Sequence, residues 1–307
     1  MKMISFGKSG LEVPAVALGC MRINGISLKE AETLIRTAME NGCSFFEHAD
    51  IYGGDGACER FFAEAIHMTP SIREQMLLQS KCGIVPGKMY DFSKEHILSS
   101  VDGSLSRLKT DYLDVLVLHR PDALVEPEEV ADAFDRLQES GKVRYFGVSN
   151  HKSSQIKLLQ KYVKQPIVTN QLQLSVTHAP MIQSGMEVNM VTEGAADRDD
   201  SVLDFCRLND ITIQTWSPFQ YGFFEGVFID NDKFPKLNRV LQELADQYNV
   251  TKTTIAAAWI LRHPAGMQLI AGTTKVSRLQ EIMRAADITL SREEWYRLYL
   301  SAGHMLP

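Results

Sequence analysis

The stretch LGCMRINGIS, residues 18–27, overlaps the first β-like apolar run of the chain, VALG at 16–19, and it separates two possible folds. An open, doubly wound sheet would carry GxGxxG at this place, glycines that make a tight turn and let backbone amides approach a phosphate. LGCMRINGIS does not match that pattern. Working outward, seven further β-rich runs follow: CSFFEHA (43–49), MLLQSKC (76–82), LDVLVLH (113–119), VRYFGVS (143–149), VTNQLQL (168–174), ITIQTWS (211–217) and QLIAG (268–272). Helical patterns lie between them. Ile97, Val101, Leu105 and Leu108 form a stripe of helical period. Ala131, Phe134 and Leu137 mark another helix, which Gly141 would stop. LNRVLQELADQY, TTIAAAWILRH and VSRLQEIMRAA read as three more.

Eight strands alternating with helices imply parallel pairing and a closed (β/α)8 TIM barrel. An N-terminal hairpin from Ile4 to Val13, turning at KSG, would close its bottom. With no internal repeat or linker-like boundary, residues 1–307 read as a single barrel domain. Two long loops, 178–201 and 219–234, follow strands and would sit at the C-terminal face, where such barrels keep their active sites. The first shows no clear period; the second is dense in aromatic residues.

Composition excludes several classes. A formal charge of -6 argues against a nucleic-acid partner. No stretch approaches the roughly 20 apolar residues that span a bilayer, and no apolar leader opens the chain, so no membrane role is expected. The five cysteines are scattered, without CxxC or Cys/His spacing, so no metal is expected and a reducing, cytoplasmic setting is the simpler reading.

The strand ends collect ionisable and polar residues at one mouth: Glu47 with Tyr52 close behind, Lys81, His119, Ser149 with Asn150, Gln171, Trp216, and Gly272 with Thr273. Each alone has a bland explanation; together they point to a site. FGKSGLEVPAVALG, HADIYGG, SKCG, LVLHRPD, GKVRYFGVSN, TNQLQLS, TWSP and IAGTTKVSRLQE, in this order, make the chain similar to the aldo-keto reductase family over nearly its whole length.

That resemblance implies a (β/α)8 barrel that reduces carbonyls with a nicotinamide cofactor, usually NADPH, and no metal. It implies Tyr52 as general acid, Lys81 as the cation that eases the phenol's ionisation, and His119 as the residue orienting the carbonyl. Glu47 stands where the family has an aspartate, and strand alternation points it inward with Phe45. Its extra methylene would displace the ammonium or force a bent rotamer, and would retune the tyrosine–lysine pair unless it merely neutralises the lysine.

For the cofactor, the resemblance implies carboxamide contacts from Ser149, Asn150 and Gln171, ring stacking on Trp216, and Ser217 opening a loop over the pyrophosphate. Cys20, Met21 and Arg22 would line the nicotinamide pocket. Gly272, Thr273, Lys275 and Arg278 would hold the adenosine phosphate, and Glu281 the adenine, with Ile282 replacing a frequent asparagine. Arg278 favours NADPH over NADH, because a guanidinium can grip a 2′-phosphate with two bonds. Phe219, Tyr221 and Phe223, with Phe224 and Phe228, suggest an aromatic wall for a small carbonyl substrate.

Two rivals remain. One is a nicotinamide-binding regulatory or redox-sensing subunit of the same fold with little turnover. The other is a metal-dependent hydrolase using His48, His119, His151 and His178, against which stand the absence of an HxH pair and the placing of His48 opposite Glu47.

Overall fold

In the computed structural model, which describes residues 1–306, eight parallel strands close into a barrel. They are β1 (Val16–Gly19), β2 (Phe45–Glu47), β3 (Leu77–Cys82), β4 (Leu113–Leu118), β5 (Val143–Ser149), β6 (Ile167–Gln173), β7 (Thr212–Trp216) and β8 (Gln268–Ala271). All eight sequence runs are strands. The ring closes where β8 pairs with β1, placing Leu269 opposite Val16 and Ala271 opposite Leu18.

Outside the barrel, the helices bury the stripes their sequences predict. Lys94–Leu108 buries Ile97, Val101, Leu105 and Leu108 against the sheet. Pro127–Glu139 buries Val130, Ala133, Phe134 and Leu137, and Ala131 is only half-buried. Gly141, at φ 72°, takes the left-handed conformation just past that helix, which an L side chain would resist. Lys252–Leu261 is buried all round, as its run of alanines and isoleucines allows.

Met3–Ser5 and Glu12–Pro14 form the expected antiparallel hairpin. Between them, Phe6 inserts into the barrel floor beside Phe45, Val115, Val117 and Val168, its ring 5.6 Å from that of Phe45. Gly7 donates its amide to Thr212 Oγ1 at 2.8 Å, and a Cβ there would meet the carbonyl oxygen of Val168 at 2.3 Å. The chain crosses the barrel bottom so closely that only glycine fits.

Above this apolar floor lies a layer of glutamines. Gln79 and Gln214 exchange hydrogen bonds of 3.0 and 2.9 Å, Gln214 donates to Gln268 at 2.8 Å, and Gln268 donates to the Pro14 carbonyl at 2.8 Å. Gln171 joins from β6, donating to Gln214 at 3.3 Å. Buried amides are tolerated here because each finds a partner.

Two local elements differ from the sequence reading. Residues 178–201, read as a loop without period, contain a helix at Pro180–Met186, seven residues and too short to show one. A small hairpin, Ile84–Val85 with Met89–Tyr90, follows β3. No helix among the described residues is long and apolar enough to cross a membrane.

Candidate active site

Glu47 ends β2 and Lys81 lies near the end of β3; both are buried, at 3% and 1% exposure. Their side chains form an ion pair. Lys81 Nζ also donates to the His48 carbonyl at 2.9 Å and to the Tyr52 hydroxyl at 2.8 Å. The Tyr52 hydroxyl in turn donates to Glu47 Oε1 at 3.2 Å. The Glu47 carboxylate thus meets both the ammonium and the phenol. Gly19, paired with Glu47 across β1 and β2, sits in a tight place: a Cβ there would stand 2.8 Å from Ile270 Cγ2 and 3.3 Å from Glu47 Oε2.

His119 closes the group, its ring edge-on to that of Tyr52 with centroids 6.0 Å apart. Its Nδ1 is buried without a partner. Burial, reinforced by the charges of Lys81 and Arg120, pushes its pKa well below the usual value, so the imidazole is neutral near pH 7. Burial also lowers Lys81, and the Glu47 charge works against that loss. The Tyr52 phenol is pushed well above its ordinary value, by burial first and then by Glu47 as charge and acceptor. In the resting site burial and the carboxylate together favour the protonated phenol.

Beside this group, Ser149 Oγ donates to the Gln171 carbonyl at 3.0 Å, Asn150 Nδ2 to Ser149 Oγ at 2.7 Å, and Trp216 Nε1 to Asn150 Oδ1 at 3.2 Å. Gln171 Nε2 also reaches Glu47 at 3.4 Å. Asn150 and Ser217, the residues leaving β5 and β7, have φ of 58° and 52°. Left-handed backbone at residues with side chains is strained and concentrates at functional sites.

On the next sector of the mouth, Arg22 donates to the Gly272 carbonyl at 2.9 Å, tying together the loops after β1 and β8. Met21 is exposed, and Cys20 is buried with its thiol pushed well up by burial, an inert state. The helix Val276–Arg284 begins just after Thr273 and Lys275 and has no side-chain cap, so its first amides remain open. Lys275 and Arg278 are exposed there. Glu281 accepts a hydrogen bond from Thr251 at 3.3 Å, while Ile282 is fully buried and faces the core rather than the mouth.

The aromatic loop divides. Phe223 and Phe224 pack around the Trp216 ring, at 6.3 and 5.9 Å between centroids. Phe228 is fully buried, Phe219 packs on the core, and Tyr221 lies against Phe234. Of the three aromatics expected to wall the pocket, Phe223 alone lines the cavity beside Trp216. That cavity, about 260 Å³, also exposes Arg120, which the sequence reading passed over inside LVLHRPD. Its position at the end of a barrel strand was the available signal. His48 is buried with its ring 4.7 Å from that of Phe62, on the helix side of β2 and away from His119.

Known proteins share this arrangement of strands. The chain is 36% identical over 311 residues to the uncharacterized oxidoreductase YcsN of Bacillus subtilis, covering 97% of each. It is 32% identical to a 6-dehydroglucose reductase of Novosphingobium aromaticivorans, covering 98% of this chain and 96% of the relative. Among solved structures, the thermostable aldo-keto reductase Tm1743, in complex with the inhibitor epalrestat, superposes with a TM-score of 0.78 at 27% identity, covering 98% of this chain and all of that one. The model of the Aldo/keto reductase family matches residues 15–299, and with these relatives it establishes that the chain belongs to that family of oxidoreductases.

Proposed function

We propose that this protein reduces the carbonyl group of an aldehyde or ketone with NADPH, with Tyr52 as the proton donor. The observation that carries this reading is the hydroxyl of Tyr52 between Lys81 at 2.8 Å and Glu47 at 3.2 Å, with the neutral His119 ring at its edge. His119, whose Nδ1 is unpartnered, has hydrogen-bonding capacity left to orient a carbonyl. As the Tyr52 proton leaves for the carbonyl oxygen, the Lys81 ammonium stabilises the phenolate by a charge-assisted bond. Glu47 keeps Lys81 charged in a buried place where a lone ammonium would be expensive.

The residues around this group suit a dinucleotide. Ser149, Asn150 and Gln171 offer amide and hydroxyl groups to a carboxamide, and Trp216 offers a flat face for stacking. A nicotinamide bound there in its reduced form would supply the hydride. Cys20, Met21 and Arg22 would line its pocket, and Ser217 would begin the segment over the pyrophosphate. Gly272, Thr273, Lys275 and Arg278 surround an open helix N-terminus, which favours an anion, and two adjacent cations favour a 2′-phosphate. Glu281 would lie at the adenine end.

The test is consumption of NADPH with 4-nitrobenzaldehyde by wild type and Tyr52→Phe. Turnover lost in the variant, with NADPH binding retained by titration, is the expected result. Tight NADPH binding by wild type without turnover would instead favour a regulatory or redox-sensing subunit.

A further inference from the structure

We propose that the preferred substrates are carbonyl compounds bearing a carboxylate at the end remote from the carbonyl, and that Arg120 holds this carboxylate; the proposal rests on the reading of Tyr52 and His119 as the carbonyl's partners.

The cavity beside Trp216 opens among the loops that follow β4, β5 and β6. Its ionisable lining is Arg120, His151, Lys152, His178, Arg198 and Asp199. Arg198 is already occupied, paired with the Glu193 carboxylate and donating to the Glu193 and Ala196 carbonyls at 3.1 Å each. The two histidines are neutral near pH 7, because burial pushes His151 down to about 4 and lowers His178. Burial raises Asp199, and Lys152 stands exposed to solvent, which screens its charge.

Among the cations of this lining, Arg120 is the one both partly buried and unpaired. It is half-buried, and its guanidinium joins none of the ion pairs among the described residues. Its Cζ lies 5.8 Å from the centre of the Trp216 ring. A partly desolvated cation without an anion is costly, and the cost is relieved when a carboxylate arrives. The guanidinium's planar fork suits a carboxylate, which it can meet with two parallel hydrogen bonds.

Arg120 lies near enough for its charge to act on His119 and for Tyr52 to act on it, so a molecule whose carbonyl meets those two can present its far end to Arg120. Trp216 and Phe223 line the same cavity as Arg120, which favours a flat or apolar spacer between the two ends. In the reaction the carbonyl carbon gains a hydride from NADPH and the oxygen gains the Tyr52 proton. The products are a hydroxy acid and NADP+, with the carboxylate unchanged.

4-Carboxybenzaldehyde and its methyl ester, methyl 4-formylbenzoate, isolate the effect, since esterification removes only the charge. Wild type should favour the acid in kcat/KM by about tenfold or more, as a charged hydrogen bond would give. Arg120→Met should abolish that preference and Arg120→Lys should keep part of it. Equal use of both aldehydes by wild type, or a preference that survives in Arg120→Met, overturns the proposal. So does a raised KM for NADPH as the main effect of Arg120→Met, which would assign the guanidinium to the dinucleotide.

If neither aldehyde is reduced, the proposed reaction fails but the site can still be judged by titrating tryptophan fluorescence with terephthalate. Quenching in wild type that is absent in Arg120→Met supports the carboxylate site. Identical titrations sink it.

Discussion

Tyr52 donates its hydroxyl proton to Glu47 across 3.2 Å, so a carboxylate competes with any carbonyl for that proton. The charge and the hydrogen bond of Glu47 both raise the phenol's pKa, after burial. In Glu47→Asp the shorter carboxylate should still pair with Lys81 but release Tyr52. The phenol would then ionise at lower pH, and the alkaline limb of the kcat profile should move to lower pH. Superimposable pH–rate profiles would remove Glu47 from any role beyond neutralising the lysine.

Removing the acid itself is a harsher change. Tyr52→Phe should lower kcat by about a hundredfold to ten-thousandfold, the usual contribution of a positioned proton donor. Single-turnover measurements with NADPH would check that the chemical step, and not product release, has slowed.

Lys81→Met would leave Glu47 buried and charged without its partner. Breaking a buried pair from one side costs about 3–5 kcal/mol, so a marked fall in Tm is expected. The double variant Glu47→Gln, Lys81→Met should recover much of that loss, because no unpaired charge remains. Thermal unfolding of the three proteins checks the order.

Arg278→Ala should lower the ratio of kcat/KM for NADPH over NADH by about tenfold, since the guanidinium would face only the phosphorylated dinucleotide. A ratio that does not move would place the 2′-phosphate elsewhere.

Asp50 offers a test of stability apart from catalysis. Burial first, then the Glu59 charge, raises its pKa from 3.8 to about 7, against opposing effects of Arg107 and Ser100. Its neutral form is therefore favoured in the folded state. The associated stability is fully present below pH 3.8 and fades as pH rises to about 7. Asp50→Asn should consequently raise Tm relative to wild type at pH 8, with the gain shrinking toward pH 4. Parallel Tm curves across that range would count against the assignment.

The barrel was legible because its strands, covered on both sides, are written as short apolar runs separated by helical stripes. VRYFGVS coincides with β5 to the residue. Side-chain reach was not legible. The family resemblance set Glu47 beside Lys81 but did not show its carboxylate touching Tyr52, which depends on side-chain rotamers. The aromatic loop was ambiguous for a related reason: a phenylalanine fills a core as readily as it lines a pocket, and only backbone direction separates Phe223 from Phe228. The glutamine layer left a faint trace, a lone Gln within each of three apolar runs, at positions 79, 214 and 268.

The seam between Val16 and Leu269 has a consequence for biogenesis. As the chain emerges from a ribosome, β1 is made early but its outer edge stays unzipped until β8 appears, some two hundred and fifty residues later. At about 5–20 residues per second, that is a wait on the order of ten seconds or more with an adhesive margin on display. The nascent chain is most exposed to mispairing in that interval, and chaperone capture should be concentrated there.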